Sequence, residues 1–184
     1  MKHVLTFILL ILFSLILFQE AVNAQEAQKP DNMSSIPVPT IVYVLPYPGI
    51  LPNHPLFFLK ELRDKILIII TRKTNEKSNL YLLLSDKSLV MGQMLWESKN
   101  YDESVKSLEK GESHLLNSIL VLLKNQNGET LPPGFTDKIK LAAKKHEEVI
   151  KNILTTTSES GMLNKLNNVL SINHQASQQI TTIK

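Results

Sequence analysis

Two stretches of helical hydrophobic periodicity, joined by a very short connection, limit the folds open to this chain more than any other feature. The first runs from about Thr74 to Lys99 and the second from Asp102 to Asn127, each with apolar residues three and four positions apart. Between them lies Asn100-Tyr101-Asp102, in which Asp102 suits the N-cap of the second helix. Because neighbouring helices joined by about two to four residues run antiparallel, we predict a helical hairpin.

Helical patterns flank this hairpin on both sides. The preceding helix is expected to begin at Pro55, with Asn53 or His54 as its cap. One helix is expected to start at Thr136 after the hairpin, and a weaker one after Gly161. No stretch beyond the first helix alternates apolar and polar residues with the period of a strand. We therefore predict an all-α fold, a helical bundle of four to five helices.

A proline-rich segment, residues 41–55, leads into the first helix and is called the strap below. Six of the nine prolines lie between Pro37 and Pro55. Proline fixes its own φ and pushes the preceding residue towards extended geometry, so a regular helix is excluded here. Pro48-Gly49 suits a type II turn. We expect the apolar side of this N-terminal strap to lie on the bundle.

The end of the first helix, Ile66 to Ile70, is apolar on all sides. Such a helix end is either surrounded by neighbouring helices or exposed to a partner. We expect the first arrangement, with this helix at the centre of the core. Five charged residues between Lys60 and Lys65 argue against a membrane-spanning segment.

Residues 1–24 have the pattern of a secretory signal peptide. Lys2 precedes an apolar run of 15 residues, 4–18, and Val22-Asn23-Ala24 offers a cleavage site. Roughly 20 residues are needed to span a bilayer comfortably, so we favour cleavage before Gln25. The alternative is an uncleaved anchor, and only in that case do we expect membrane attachment. Both readings place the chain from Gln25 onward outside the cytoplasm, secreted or associated with the cell envelope.

The rest of the chain divides by composition. We predict a flexible linker at 25–40, a domain of strap and helical hairpin at 41–126, and a C-terminal helical extension at 127–184 that packs on it. The absence of cysteine excludes disulfides and favours a bacterial source. Lys and Arg number 20 against 17 Asp and Glu, and the two signs alternate. Nucleic-acid binders concentrate basic charge on one face, so no nucleic-acid partner is expected.

The sequence offers no catalytic centre of a known type. It has no Gly-x-Ser-x-Gly elbow, no cysteine nucleophile and no glycine-rich phosphate loop. His146 lacks the second histidine of a zinc-protease motif, because position 150 is Ile. On an apolar helix face, His146 is typical of a hydrogen-bonded core histidine. We predict no enzyme activity and no catalytic, cofactor-binding or metal-binding residues.

One resemblance rests on the strap and the helix that follows it. Residues 45–60 read Leu-Pro-x-Pro-Gly-x-x-Pro-x-x-Pro-Leu-x-x-Leu-Lys, and Leu62-Arg63-Asp64-Lys65-Ile66, Ser85-Asp86-Lys87 and the Asn100-Tyr101-Asp102 turn come later. This pattern resembles a bacterial extracytoplasmic family, the domain of unknown function DUF5667, over residues 43 to about 119. The resemblance implies an extracytoplasmic helical domain and supplies no catalytic residues.

These observations favour a noncatalytic extracytoplasmic interaction or structural module. Candidate partner-binding residues are Tyr43, Tyr47 and His54 in the strap and Leu67 and Ile68 in the first helix, with a protein as the expected partner. One alternative is a periplasmic stress sensor or a chaperone-like helical hairpin that binds protein or metal. Another is a hydrolase whose carboxylate or histidine cluster assembles across helices. The sequence leaves the oligomeric state open.

Overall fold

A computed structural model describes residues 42–124, 128 and 130–183. Five helices occupy them: α1 Phe57–Ile70, α2 Thr74–Glu97, α3 Tyr101–Leu123, α4 Phe135–Thr155 and α5 Ser160–Ile180. No strand occurs in these ranges, and the strap runs non-helically from residue 42 up to α1. The all-α prediction, with a helical bundle and a strap, is confirmed. The predicted signal peptide and linker lie outside the described residues.

The turn between α2 and α3 is as tight as predicted. Lys99 adopts a left-handed φ of 63°, and its N–H donates to Trp96 O at 2.9 Å. Asn100 N–H reaches Leu95 O at 2.8 Å. This pair of hydrogen bonds is a Schellman motif, which ends α2 and turns the chain at once. The N-cap prediction was off by two residues, because Asn100 occupies that position and Asp102 lies inside the first turn of α3.

Small residues let α2 and α3 approach closely along their length. They recur every seven positions, at Ser78, Ser85 and Gly92 on α2 and at Ser104, Gly111 and Ser118 on α3. Each rung carries a hydroxyl-to-backbone hydrogen bond: Ser104 Oγ donates to Gly92 O at 2.7 Å. Ser85 Oγ donates to Gly111 O at 2.8 Å. Ser78 and Ser118 donate to each other's carbonyl at 2.9 Å.

Helices α4 and α5 complete a four-helix bundle. They pack against each other, α5 also packs on α3, and α4 packs on α2. The N-cap of α4 is Gly134, two residues before the predicted Thr136. Its φ of 75° is one that glycine adopts without steric cost. Helix α5 begins one residue before Gly161.

The bundle core consists of two apolar clusters. The first lies at the start of α2 and α4 and the end of α3 and α5, and includes Leu82, Ile119 and Ile139. The second lies at the opposite end and includes Leu89 and Leu108. Tyr43 of the strap packs on the first cluster and Leu45 on the second, so the strap crosses both.

Helix α1 departs from expectation in position and in start. It begins at Phe57, two residues after the predicted Pro55, and no side chain caps it. None of its residues is buried, so the prediction of a central core helix was wrong. The four bundle helices already fill both clusters with their own side chains, which leaves α1 at the periphery.

Candidate functional site

Each bundle helix contributes one polar side chain to a layer between the two apolar clusters. The polar layer consists of Asp86 from α2, Glu112 from α3, His146 from α4 and Asn173 from α5. His146 Nδ1 lies 2.7 Å from Glu112 Oε1, and its Nε2 lies 3.1 Å from Asp86 Oδ1. Asn173 Nδ2 donates to Glu112 Oε2 at 2.8 Å and to Ala143 O at 3.1 Å. These contacts link all four helices at one level.

The strap is tied to this layer through Tyr43. Its hydroxyl donates to Asp86 Oδ2 at 2.7 Å, so both oxygens of Asp86 accept a hydrogen bond. Burial, followed by the negative charge of Asp86, raises the pKa of Tyr43 above its ordinary range. The phenol therefore stays protonated and remains a donor.

His146 lies between two carboxylates with no exposure to solvent. Burial on its own disfavours the imidazolium and lowers the pKa of His146. The charge of Glu112 and the hydrogen bonds to both carboxylates outweigh burial and raise this pKa to about 9. At neutral pH the ring is therefore an imidazolium that donates from both nitrogens.

The geometry of the polar layer opposes a catalytic role. A histidine base must offer one ring nitrogen to a nucleophile or a water, and both nitrogens of His146 are occupied by carboxylates. Three members of the layer have no solvent exposure, so a substrate cannot reach them: His146, Glu112 and Asn173. Within the described part of the chain, no three His, Cys, Asp or Glu side chains are placed to hold a metal ion. The polar layer joins the four helices by hydrogen bonds between their side chains.

A second candidate site lies on α1, where an apolar stripe faces solvent. This outward face consists of Phe58, Leu59, Leu62, Ile66, Ile69 and Ile70. Ile69 is 75% exposed, Phe58 62% and Ile70 61%. Leu59, Leu62, Ile66, Ile69 and Ile70 fall within about 100° of one another around the helix axis. Exposed apolar groups in one continuous stripe mark interaction sites more often than scattered ones do.

The opposite side of α1 rests on the hairpin through few contacts. Phe57 and Ile68 are half-buried there, and Glu61 pairs with Lys110 of α3 at 2.6 Å. Lys60 Nζ donates to two strap carbonyls, Pro48 O at 2.7 Å and Ile50 O at 3.0 Å. Partial burial lowers the pKa of Lys60 to about 8. A narrow cleft of about 100 Å³ remains beneath the helix.

Comparison with known families adds one finding. The sequence profile of the family described as "Domain of unknown function (DUF5667)" matches residues 49–160. The chain belongs to this family. Comparisons with curated proteins and with solved structures give no significant match.

The matched DUF5667 region differs in extent from the resemblance drawn from motifs. It starts within the strap at Gly49 and continues through α4 to Ser160, the first residue of α5. The motif resemblance had stopped near residue 119 and left everything after residue 127 outside. The DUF5667 match therefore includes Asp86, Glu112 and His146 of the polar layer and all of α1. None of the helices in the described ranges is long and apolar enough to span a membrane.

The five predicted partner-binding residues occupy different environments in this DUF5667 protein. Tyr43 and Ile68 turn towards the bundle, whereas Tyr47 is 76% exposed and Leu67 also reaches solvent. His54 is exposed, and its Nδ1 accepts the N–H of Leu56 at 3.1 Å just ahead of α1. No hydrogen bond or ring contact in the described residues joins any two of the five. The structure does not gather them into one site.

The other histidines among the described residues lie apart from the polar layer. His114 lines the cleft beneath α1 and faces the Tyr81 ring at 5.8 Å between centroids. Burial lowers the pKa of His114 to about 4, so it is neutral. His174 lies at the surface, 3.3 Å from Glu147.

The prediction for His146 as a hydrogen-bonded core histidine is confirmed, but its partners were missed. The spacing of residues along α2 and α3 contains a signal that identifies these partners. Glu112 comes four residues after buried Leu108 and three before buried Leu115, a position that belongs to the apolar stripe. Asp86 has the same relation to Leu82 and Leu89 on α2. Polar residues at stripe positions on separate helices indicate a shared layer.

Proposed function

We propose that this DUF5667 protein is a noncatalytic interaction module that acts outside the cytoplasm and binds through the outward face of α1. The observation that carries the proposal is the exposure of the stripe from Phe58 to Ile70 on a helix with no buried residue. A globular domain gains nothing in solubility or stability from such a stripe. A binding role explains it.

The polar layer supports the noncatalytic part of the proposal. It joins two carboxylates and a histidine across three helices, and solvent does not reach its His146 or Glu112. The hairpin also fails to offer the open groove that a chaperone-like role requires. Between Leu82 and Leu122, its inward side chains are packed in the clusters formed with α4 and α5.

The extracytoplasmic part rests on the N-terminal sequence. Lys2, the apolar run 4–18 and Val22-Asn23-Ala24 fit an export signal, cleaved or retained. The domain also contains no cysteine, so its fold does not depend on the redox state of the compartment.

The absence of native cysteines allows a direct test in the intact cell. Two single-cysteine variants of the full chain, Ile69→Cys on the outward face and Leu141→Cys on α4, are exposed to a membrane-impermeant maleimide. Leu141 is 42% exposed and serves as the matched control. We expect Leu141→Cys to react in intact cells and Ile69→Cys to be protected there, while both react in the purified protein.

Two outcomes would contradict the proposal in different ways. If Leu141→Cys reacts only after the cells are broken, the domain does not lie outside the cytoplasm. If both variants react equally in intact cells, nothing covers the outward face, and the binding role is wrong.

A further inference from the structure

We infer that the outward face of α1 binds an anionic lipid surface, on which the helix lies in the plane of the headgroups. The inference rests on the proposed binding role of that face and names its partner. Helix α1 has 14 residues and is therefore about 21 Å long. Interfacial helices have an apolar side that sinks into the boundary between headgroups and acyl chains, with basic residues beside it.

The charges around the stripe favour an anionic surface. Arg63 and Lys65 flank the stripe on its two sides, and both are exposed. Arg72, also exposed, is the second residue after the end of the helix. The basic flanks lie where phosphate headgroups would meet a helix whose apolar side is inserted.

The two acidic residues of α1 do not oppose that contact. Glu61 is turned to the hairpin and pairs with Lys110, which lowers the pKa of Glu61. Asp64 is partly buried and accepts hydrogen bonds from Arg63 at 2.8 and 3.1 Å. Each carboxylate is therefore paired with a positive charge, Glu61 on the bundle and Asp64 on the neighbouring Arg63.

A second copy of the chain fits the same face less well. In an antiparallel pair of identical helices, each flank meets the same flank of its partner. Lys65 would then face Lys65, and no acidic residue on the outward side compensates it, whereas Arg63 is paired with Asp64 of its own helix. Like charges brought together in this way disfavour association. The charges beside the stripe thus favour a lipid surface over a homodimer as the partner.

The position of α1 in the chain brings it near a bilayer if the N-terminal run is retained. The described residues begin 24 positions after Phe18, where the apolar run ends. Even a fully extended chain of that length reaches no more than about 80 Å. In that uncleaved case α1 meets the bilayer at high effective concentration, so weak insertion by one helix is sufficient.

A fluorescent probe on the outward face tests the inference while leaving the full chain intact. Nitrobenzoxadiazole is attached to Ile69→Cys, or to Leu141→Cys as the control, and the protein is mixed with vesicles. One set of vesicles is pure phosphatidylcholine and the other contains about one third phosphatidylglycerol. Because the probe reports its own surroundings, insertion of the N-terminal run elsewhere does not imitate the signal.

We expect the emission at position 69 to shift to the blue with anionic vesicles and the control at 141 not to shift. The shift at 69 should need several-fold more lipid when Lys65→Glu is added or the salt is raised, since each basic residue near an anionic surface contributes about five-fold in affinity. A shift of equal size with neutral vesicles would overturn the anionic specificity.

The remaining outcomes separate this inference from the proposed function. A blue shift at 69 that needs no vesicles and grows with protein concentration would identify a second copy as the partner. The lipid inference would then fall, and the binding role of α1 would stand. No shift under any of these conditions, with Ile69→Cys still protected in cells, would overturn the lipid inference in favour of another protein. No shift and no protection in cells would overturn both.

Discussion

Replacement of His146 by leucine tests whether the polar layer holds the four-helix bundle together. The variant His146→Leu keeps a side chain of similar size and leaves Asp86 and Glu112 buried without the ring that donates to both. Removal of one partner from a buried ion pair costs about 3–5 kcal/mol, because the remaining charge is uncompensated. A domain of this length has a free energy of unfolding of roughly 7–20 kcal/mol. The loss should therefore be a large share of the total.

The pKa of His146 gives a second route to the same magnitude. The pKa rises from 6.5 to about 9 on folding. Each pKa unit corresponds to about 1.4 kcal/mol, so the protonated ring contributes roughly 3 kcal/mol to stability. Since the folded-state pKa is the higher one, this contribution is complete below pH 6.5 and disappears as the pH rises through 9. The wild-type protein should lose that stability over this window. The triple variant Asp86→Leu, Glu112→Leu, His146→Leu should not, whereas His146→Leu alone keeps two buried carboxyl groups that titrate.

Urea denaturation followed by far-ultraviolet circular dichroism measures both effects. With a slope of about 2 kcal/mol/M, the midpoint at pH 6.5 should fall by roughly 1.5–2.5 M in the variant. Comparison of wild type and variant at each pH cancels groups common to both, such as Lys60. The exposed His174→Leu serves as the control and should change stability by less than about 0.5 kcal/mol.

Two results would refute this account of the layer. One is a loss below about 1 kcal/mol in His146→Leu at pH 6.5. The other is a pH dependence between 6.5 and 9 that is the same in the wild type and in a variant with leucine at all three ionic positions. The triple variant Asp86→Leu, Glu112→Leu, His146→Leu should recover much of the lost stability, since an apolar replacement of a complete buried ion group is often neutral or stabilising.

Four further substitutions, one of them a control, test separate parts of the fold by the same denaturation assay. Tyr43→Phe removes the hydrogen bond from the strap to a buried carboxylate and should lower stability by about 1.5–3 kcal/mol; an unchanged midpoint would mean that the strap is not anchored there. Gly92→Ala places a Cβ 2.6 Å from the Leu108 side chain and should cost about 1–3 kcal/mol. Gly161→Ala, whose added Cβ meets nothing nearer than 3.8 Å, should be neutral or stabilising, and equal losses at both glycines would contradict the close approach of α2 and α3. Lys99→Gly removes the steric cost of a left-handed φ at the hairpin turn and should raise stability by about 1 kcal/mol. A decrease in stability would contradict the Schellman geometry.

Local chemistry explains why the hairpin was predictable from the sequence. Asn100-Tyr101-Asp102 leaves too few residues for any connection other than a tight turn, and the flanking periodicity identifies both helices. The boundaries moved by a few residues because backbone hydrogen bonds from Lys99 and Asn100 end α2 and turn the chain at once. Helix α3 therefore begins at Tyr101, ahead of the predicted N-cap Asp102. Backbone capping leaves little trace in the sequence.

The position of α1 could not be predicted in the same way. Periodicity shows that Leu59, Leu62 and Ile66 share one side of a helix, but not whether another element covers that side. Burial depends on how much space the other four helices leave, and their own side chains close the core. The polar layer was missed for a related reason. Asp86 and Glu112 lie on different helices, and their shared contact with His146 exists only once the helices have packed together.

The polar layer and the outward face are connected by a continuous series of contacts. Asp86 of the layer accepts the hydroxyl of Tyr43, and the strap then runs on to Pro48, whose carbonyl accepts Lys60 of α1. The buried end of this series fixes the strap on the bundle, and the other end fixes the rotation of α1. Since α1 buries none of its own residues, these polar contacts and the Glu61–Lys110 pair determine which side of the helix faces outward. The apolar side is thus presented by contacts made with the polar side, which is the arrangement that a docking helix requires and a core helix does not.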